Sequence, residues 1–329
     1  MRAICPGAPI LNAVVILLAF VLSACVTGSQ DLKLGRNHPL SGRIWDVSAG
    51  KFIDSQQLYA DLARADFILL GEQHDNGEHH SLQAKIVERT TALGARRAVG
   101  FEMFSIDQAD AIAKYLARRP TDAAGLGPAT NWEKSGWPDW SMYQPIAEAA
   151  LAAKLPIIAT NLPLSVVRRL ARGAAELDSA TKSQLALDQP VSPALYSLMA
   201  DDIRASHCGY APEQSIKAMV DAQRARDAQM AQSLIAGAAA DGAILIAGAG
   251  HARKDYGVPV YLRARATGKQ VISVGFIEVD NDKRDPLDYG PSGSTGRAPF
   301  DYLWFTLRVD DEDPCEKFKA QFENFKKAQ

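Results

Sequence analysis

The residues that could do chemistry gather at two places with the same local pattern. The first is Gly71-Glu72-Gln73-His74-Asp75-Asn76, with His79 and His80 just beyond it, and the second is Gly248-Ala249-Gly250-His251. Each follows a short apolar run, 67–70 and 243–247, that reads as a buried strand. An open α/β sheet presents its site in this way, with strands that end in glycine and ionisable groups at their carboxyl ends. If the two strands are parallel neighbours, His74 and His251 emerge at one edge. Glu102, at the end of a strand over 97–104, and Asn161, at the end of one over 155–161, join them there.

Imidazole and carboxylate together suit a metal such as Zn, Mn or Fe, with His74, His251 and Asp75 as its ligands. A metal-bound water would then be the nucleophile, Glu72 or Glu102 the base, and Arg226 the cation that steadies a developing oxyanion. The spacing matches no standard zinc motif, since neither His-Glu-x-x-His nor a close cysteine pair is present. The same residues have plainer readings. His74 and His251 can be hydrogen-bonded turn residues, and Glu72 and Glu102 helix caps. Arg226 with Asp227 can be a structural ion pair, and His79 and His80 a solvated first helical turn.

The elements that must position these groups follow from periodicity. A short edge strand is expected over 41–46, and a helix capped by Asp54 or Ser55 runs to about Arg64. The strand over 67–70 feeds a helix over 78–93, whose Leu82, Ile86 and Leu93 suit a face laid on a sheet. The strand ending at Glu102 precedes a helix over 106–117, and residues 118–141 read as a long loop or partial lid containing Trp132, Trp137 and Trp140. A helix over 142–154 leads to the strand that ends at Asn161. Residues 163–240 are mostly helical, a cap inserted between strands. In its last helix Gln223, Arg226 or Asp227, and Met230 share one face. The strand over 243–247, a helix over 258–266, strands over 270–278 and 302–307 (the latter at an edge), and a terminal helix over 315–328 complete the chain. Alternating strands and helices predict an α/β fold: a largely parallel sheet flanked by helices, with a helical cap insertion.

The chain has 329 residues, 47% hydrophobic, with a formal net charge of -2. Its acids and bases are mixed and no basic block stands out, so nothing calls for a nucleic-acid partner. Residues 1–25 form a signal segment. Arg2 is its positive end, 10–21 its apolar stretch, and Leu22-Ser23-Ala24-Cys25 resembles a lipoprotein cleavage box with Cys25 as the acylated residue. Two acyl chains would anchor the protein stably to a membrane. Val26, where an aspartate would mark retention at the inner membrane, points to the outer membrane of the bacterial cell envelope. Residues 26–40 read as a tether and 41–329 as a single domain. Cys208 and Cys315 remain in an oxidising compartment, where they could pair or stay as free thiols.

Taken in order, these motifs resemble a known family. Gly71-Glu72-Gln73-His74-Asp75-Asn76 with His79, His80 and Gln83 is similar to the haem-binding uptake proteins of the ChaN type, within the Tiki superfamily. So are Phe101-Glu102-Met103-Phe104 with Gln108, Gly136-Trp137-Pro138-x-Trp140-x-x-Tyr143, Asn161-Leu162-Pro163, Arg226-Asp227-x-x-Met230 and Gly248-x-Gly-His251. The resemblance spans about residues 41 to 280. It implies two Gly-x-x-His motifs acting with a glutamate and an arginine, here His74, His251, Glu102 and Arg226. The superfamily also holds metalloproteases and erythromycin esterases, whereas the ChaN branch is associated with haem and iron acquisition, often as lipoproteins. Two expectations follow. One is a lipid-anchored haem-binding protein serving haem or iron acquisition, with Tyr143 or Tyr256 as the axial ligand and Trp140 in the apolar wall. A second subunit, in a homodimer, could complete a shallow pocket. The other is a metal-dependent hydrolase.

Overall fold

The structure is a computed structural model that describes residues 34–173, 177–189, 191–290, 298–313, 315–317 and 319. Cys25, the signal segment, the first part of the tether and most of the expected terminal helix lie outside the described residues. Among the described residues, no helix is long and apolar enough to cross a membrane.

The strands are β1 (Ile44–Asp46), β2 (Lys51–Ile53), β3 (Phe67–Glu72), β4 (Ala98–Ser105), β5 (Ile157–Asn161), β6 (Ala243–Gly248), β7 (Val271–Glu278) and β8 (Tyr302–Thr306). The helices are α1 (Ser55–Arg64), α2 (Gly77–Ala92), α3 (Ala109–Arg118), α4 (Leu126–Ala129), α5 (Trp140–Ala152), α6 (Leu164–Ala171), α7 (Ser179–Gln184), α8 (Pro193–Ser206), α9 (Glu213–Ala236), α10 (Ala249–Ala252) and α11 (Val258–Arg265). The sheet runs in the order β2-β1-β8-β7-β3-β6-β4-β5. Every pairing from β8 to β5 is parallel, and β1 is antiparallel to both of its neighbours.

Side chains alternate across a strand, so one apolar run serves two cores. In β3, Ile68 and Leu70 join Tyr59 and Leu62 of α1, Ile86 and Val87 of α2, and Tyr143 and Ile146 of α5. Phe67 and Leu69 face the other way, against Met230 and Leu234 of α9 and Val258 and Leu262 of α11. Ile244 and Ile246 of β6 divide from Ala243 and Leu245 in the same sense. Strands buried on both faces in this manner are what a parallel sheet between helical layers requires.

The structure corrects several expectations. The strand expected at 41–46 shrinks to β1 and is not at the edge, because the short β2 pairs outside it. Likewise β8 lies inside the sheet, between β7 and β1. Neither placement has a local signal, since both depend on pairings between distant segments. Residues 34–40 belong to the body rather than the tether: Leu40 is buried among the α9 and α11 side, and Arg308 N–H donates to Leu34 O. The 118–141 stretch holds α4 and a short 3-10 turn, Trp132–Lys134. Cys208 and Cys315, whose pairing the sequence left open, form a disulfide across a separation of 107 residues.

Glycine at the end of β3 is a packing requirement. A Cβ on Gly71 would lie 2.8 Å from Ala252 Cβ and 3.0 Å from Ala249 Cα, so α10 rests directly on the strand. Gly71→Val should therefore destabilise the protein by about 1–3 kcal/mol through overpacking. Urea denaturation measures this, and an unchanged midpoint would refute the close contact.

Candidate functional site

Pairing β3 with β6 places Glu72 opposite Gly248. The two Gly-x-x-His motifs thus leave the sheet side by side, as parallel neighbours must. Around them stand two buried carboxylates, each 2% exposed, with His74 between them.

Glu72 is held from below. The Tyr143 hydroxyl on α5 donates to its Oε1 at 2.8 Å, and His74 Nδ1 meets the same oxygen at 2.8 Å. His80 on α2 brings its Nε2 to 3.3 Å from Oε2. Burial alone would raise the carboxyl pKa, but the bonds and charges of His74 and His80 outweigh it and bring Glu72 down to about 2.

Glu102 is held from above. Gly248 N–H donates to Oε2 at 2.7 Å, and Arg226 Nη2 on α9 donates to Oε1. His251 Nε2 stands 3.3 Å from Oε1 and His74 Nε2 3.9 Å from Oε2. Asn161 closes the cluster: its amide N–H donates to Glu102 O at 3.0 Å, and its oxygen accepts from Arg226 Nε at 3.3 Å. Burial works against ionisation here too, yet His251 and Arg226 hold Glu102 well below the usual carboxylate range.

His251 completes a chain of alternating charge. Its Nδ1 meets Asp227 Oδ1 at 2.5 Å and lies 3.0 Å from the Gln223 amide. Burial lowers its pKa and Arg226 opposes its charge, but Glu102 and Asp227 prevail and push it up to about 9. His74 is raised in the same way, with burial outweighed by Glu72 and Glu102.

The remaining expected residues divide. His79 and His80 are buried rather than a solvated first turn. His79 Nδ1 accepts from Gln73 N–H at 2.9 Å and its Nε2 meets Thr306 Oγ1 at 2.8 Å, which braces the turn against β8. Burial brings its pKa down to about 3. Asn76 caps α2, accepting from Glu78 N–H and His79 N–H.

The described residues do not support the metal reading. Asp75 is exposed. Among the described residues, no group of three His, Cys, Asp or Glu side chains is placed to hold a metal ion. Both imidazoles give Nδ1 to a carboxylate and turn Nε2 toward Glu102, where the Arg226 guanidinium already supplies the positive charge.

The aromatic ligand candidates are corrected as well. Tyr143 is 0% exposed, its hydroxyl is engaged by Glu72, and burial with that negative charge raises its pKa. Trp140 is core, with its indole N–H donated to Ala123 O at 2.9 Å. Tyr256 is buried and donates to Asp202 Oδ2 at 2.5 Å. Of the tryptophans, Trp137 is the one at the site, with its ring 4.8 Å from that of His74.

Beside the cluster opens a cleft of about 480 Å³, with Glu102 and Arg226 at its floor and Trp137, Leu162, Pro163 and Leu164 along its wall. The sequence offered Trp137, Leu162 and Pro163 only within the motifs of the resemblance, and Leu164 carried no signal. The apolar residues after Asn161 carry no chemistry of their own, and only the turn into α6 brings them over the strand ends.

Comparison with known proteins identifies the family and the fold. A family model described as haem-binding uptake, Tiki superfamily, ChaN matches residues 58–262. The chain is similar to the structure described as cofacial heme binding to ChaN of Campylobacter jejuni, with a TM-score of 0.61 and 23% identity, covering 79% of this chain and 95% of that one. Weaker likenesses are to the type III effector HopBA1 (TM-score 0.39, 12% identity, 86% of this chain and 99% of that one) and to a mutant of the erythromycin esterase EreC in its open conformation (TM-score 0.39, 14% identity, 85% and 86%). No curated protein sequence matches the chain.

The electrostatics yield a pH test. A histidine whose folded pKa is raised to about 9 contributes stability in full below its unfolded value near 6.5 and loses it as pH rises through 9. His74, raised too, adds to the same fall. We expect the His251 imidazole signal to titrate near pH 9 by NMR and to fall toward its ordinary value in Glu102→Gln. His251→Gln should flatten the decline in stability over that window. An ordinary pKa in the wild type would refute the charge chain.

Proposed function

Since the chain belongs to the ChaN-type haem-binding uptake family of the Tiki superfamily, we propose that it binds haem in the cleft beside the Glu102 cluster and serves haem or iron acquisition. The observation that carries this reading is an apolar wall left open to water. Leu164 is 48% exposed at the cleft, and Ile106, next to its lining, is 39% exposed. Large apolar side chains at a concave rim are what a flat apolar ligand would cover.

The residues present fit such a ligand. Trp137 and the 162–164 wall offer a face to a porphyrin, and Lys134 and Arg226 line the same cleft and suit its carboxylates. When bound, haem would supply an iron that takes an axial ligand from the protein. His74, whose side chain is 32% exposed, is the imidazole of the cluster that reaches solvent, so it is the first residue to vary in seeking that ligand. Lipid attachment at Cys25 and residence at the outer membrane of the cell envelope are part of the proposal, supported by the sequence of the signal segment. A homodimer would suit a cleft open on one side.

The test is a haem titration of the purified protein followed by absorption. Saturable binding at micromolar or tighter affinity is expected. Trp137→Ala or Leu164→Asp should weaken it about tenfold or more, the consequence of about 1.5–3 kcal/mol of lost apolar burial. Tyr143→Phe and Tyr256→Phe should leave the spectrum unchanged. Without saturable binding the proposal fails.

One observation favours a second reading, a hydrolase that uses acid–base chemistry. Asp227, His251, Glu102 and Arg226 form a chain of alternating charge, of which Glu102 and Arg226 line the cleft, an arrangement suited to holding and moving a proton. Ester hydrolysis that is abolished by Glu102→Gln, with the fold retained by circular dichroism, would support it. Equal turnover by wild type and variant would eliminate it.

A further inference from the structure

Helix α8 is fastened to the rest of the protein in an unusual way. Its buried side chains, Met199 and Ala200, form a small satellite core with Ile216, Val220 and Tyr256, apart from the two large cores on the sheet. Beneath it lies a cavity of about 440 Å³, bounded by Met199 and Ile203 above and by Gln223, Gly250 and Phe300 on the side of the His251 turn. A Cβ built on Gly250 meets nothing within 4 Å, so the turn itself opens into this space. Gln223, which lines the cavity, also touches His251.

Two ties cross the cavity's rim. Asp202 on α8 accepts from the Tyr256 hydroxyl at 2.5 Å and pairs with Arg253 at 2.9 Å. Asp202 is 38% exposed, so solvent screens that pair and it holds weakly. The second tie is covalent. Cys208, in the turn just after α8, is bonded to Cys315. That turn is sharp, with Cys208 at φ 53° and Gly209 at φ 72°. The segment leading to Cys315 is fixed to α2 and to the end of β7: Leu307 N–H donates to Glu78 Oε2 at 3.0 Å and Val309 N–H to Glu278 Oε1 at 3.2 Å. The disulfide therefore joins the cap to the body at the end of the helix that covers the His251 side of the site.

We propose that Cys208–Cys315 is a redox latch on α8. Oxidised, it keeps α8 seated over the cavity beside His251, and reduced, it frees α8 to lift and opens a second approach to the site. A small satellite core and two solvent-screened ion pairs, Asp202 with Arg253 and Arg204 with Glu213 of α9, make α8 a low-stability unit once the covalent tie is gone. The reaction is ordinary thiol–disulfide exchange with a dithiol, whether a small molecule or an oxidoreductase. One reductant thiolate attacks a latch sulfur to give a mixed disulfide, and its second thiol resolves it. Two electrons and two protons pass to Cys208 and Cys315, which become thiols, and the reductant leaves as a disulfide. The proposal does not depend on which ligand the site takes.

Hydrogen exchange followed by mass spectrometry tests it, with the purified protein compared before and after dithiothreitol and with a Cys208→Ser/Cys315→Ser double variant. The amides of 193–206 should exchange on the order of tenfold faster or more in the reduced protein and in the variant, relative to those of β3 and β6. Peroxide treatment of the variant gives a second readout. Met199, on the buried face of α8, should become oxidised, while Met230, in the core between α9 and the sheet, stays protected. The latch is overturned if loss of the disulfide leaves α8 unchanged. It is equally overturned if α8 and the strands accelerate by the same factor, because the crosslink then acts only on global stability.

Discussion

A negative charge with almost no access to water organises this molecule. Glu102 stands at the end of β4, and a carboxylate in that position stays ionised only if the surroundings replace its hydration. They do so from three directions: Gly248 N–H from the neighbouring strand, Arg226 from the helical insertion and His251 from the turn after β6. The same contacts that make the charge tolerable lock α9 onto the sheet edge. Removing one partner of a buried pair of this kind typically costs about 3–5 kcal/mol, because the other charge remains. Site and scaffold are therefore one structure.

Glu72 repeats the arrangement two strands away, across β6, with Tyr143 and His80 as its supports. His74 spans the two carboxylates, one nitrogen on each side. Its position depends on the absence of a side chain, since a Cβ on Gly248 would lie 2.8 Å from His74 Nε2. The glycines of the two motifs thus do different work: Gly71 lets α10 rest on β3, and Gly248 leaves room for an imidazole and lends its N–H to Glu102.

The cluster and the cleft divide the labour of the site. The cluster is buried and charged, with both carboxylates held by hydrogen bonds and ion pairs. The cleft beside it is apolar along one wall and open to solvent. A ligand that fills the cleft would rest on a preorganised polar floor without having to order it, which lowers the entropic cost of binding. The cap helices frame this region from above. Among them α9 is built into the sheet core through Met230 and Leu234, whereas α8 rests on a satellite core, side-chain pairs and one disulfide, unlike the broad burial that secures α1, α2 and α5.

Much of this was legible in the sequence because it is local. Alternating apolar runs followed by glycine and histidine mark strands that end in a site, and the helical pattern between them requires a parallel sheet. That logic placed Glu72, His74, Glu102, Asn161 and His251 at one edge, where the structure has them; Arg226 was read on a helix face and joins them from α9. Partnerships were not legible, because they are set by distances between segments far apart in the chain. Tyr143 and Trp140 sit in a motif that resembles a binding site, yet the packing of α5 turns both inward, one to support Glu72 and the other to fill the core. Asp75 follows His74 by one residue, and the turn points it outward. The interior places of β1 and β8 and the bond between Cys208 and Cys315 were likewise left to tertiary structure. The order of residue types along the chain determined which groups reach the edge of the sheet. Only the three-dimensional packing decided which of them meet, since hydrogen bonds and ion pairs depend on ångström separations that no spacing along the chain encodes.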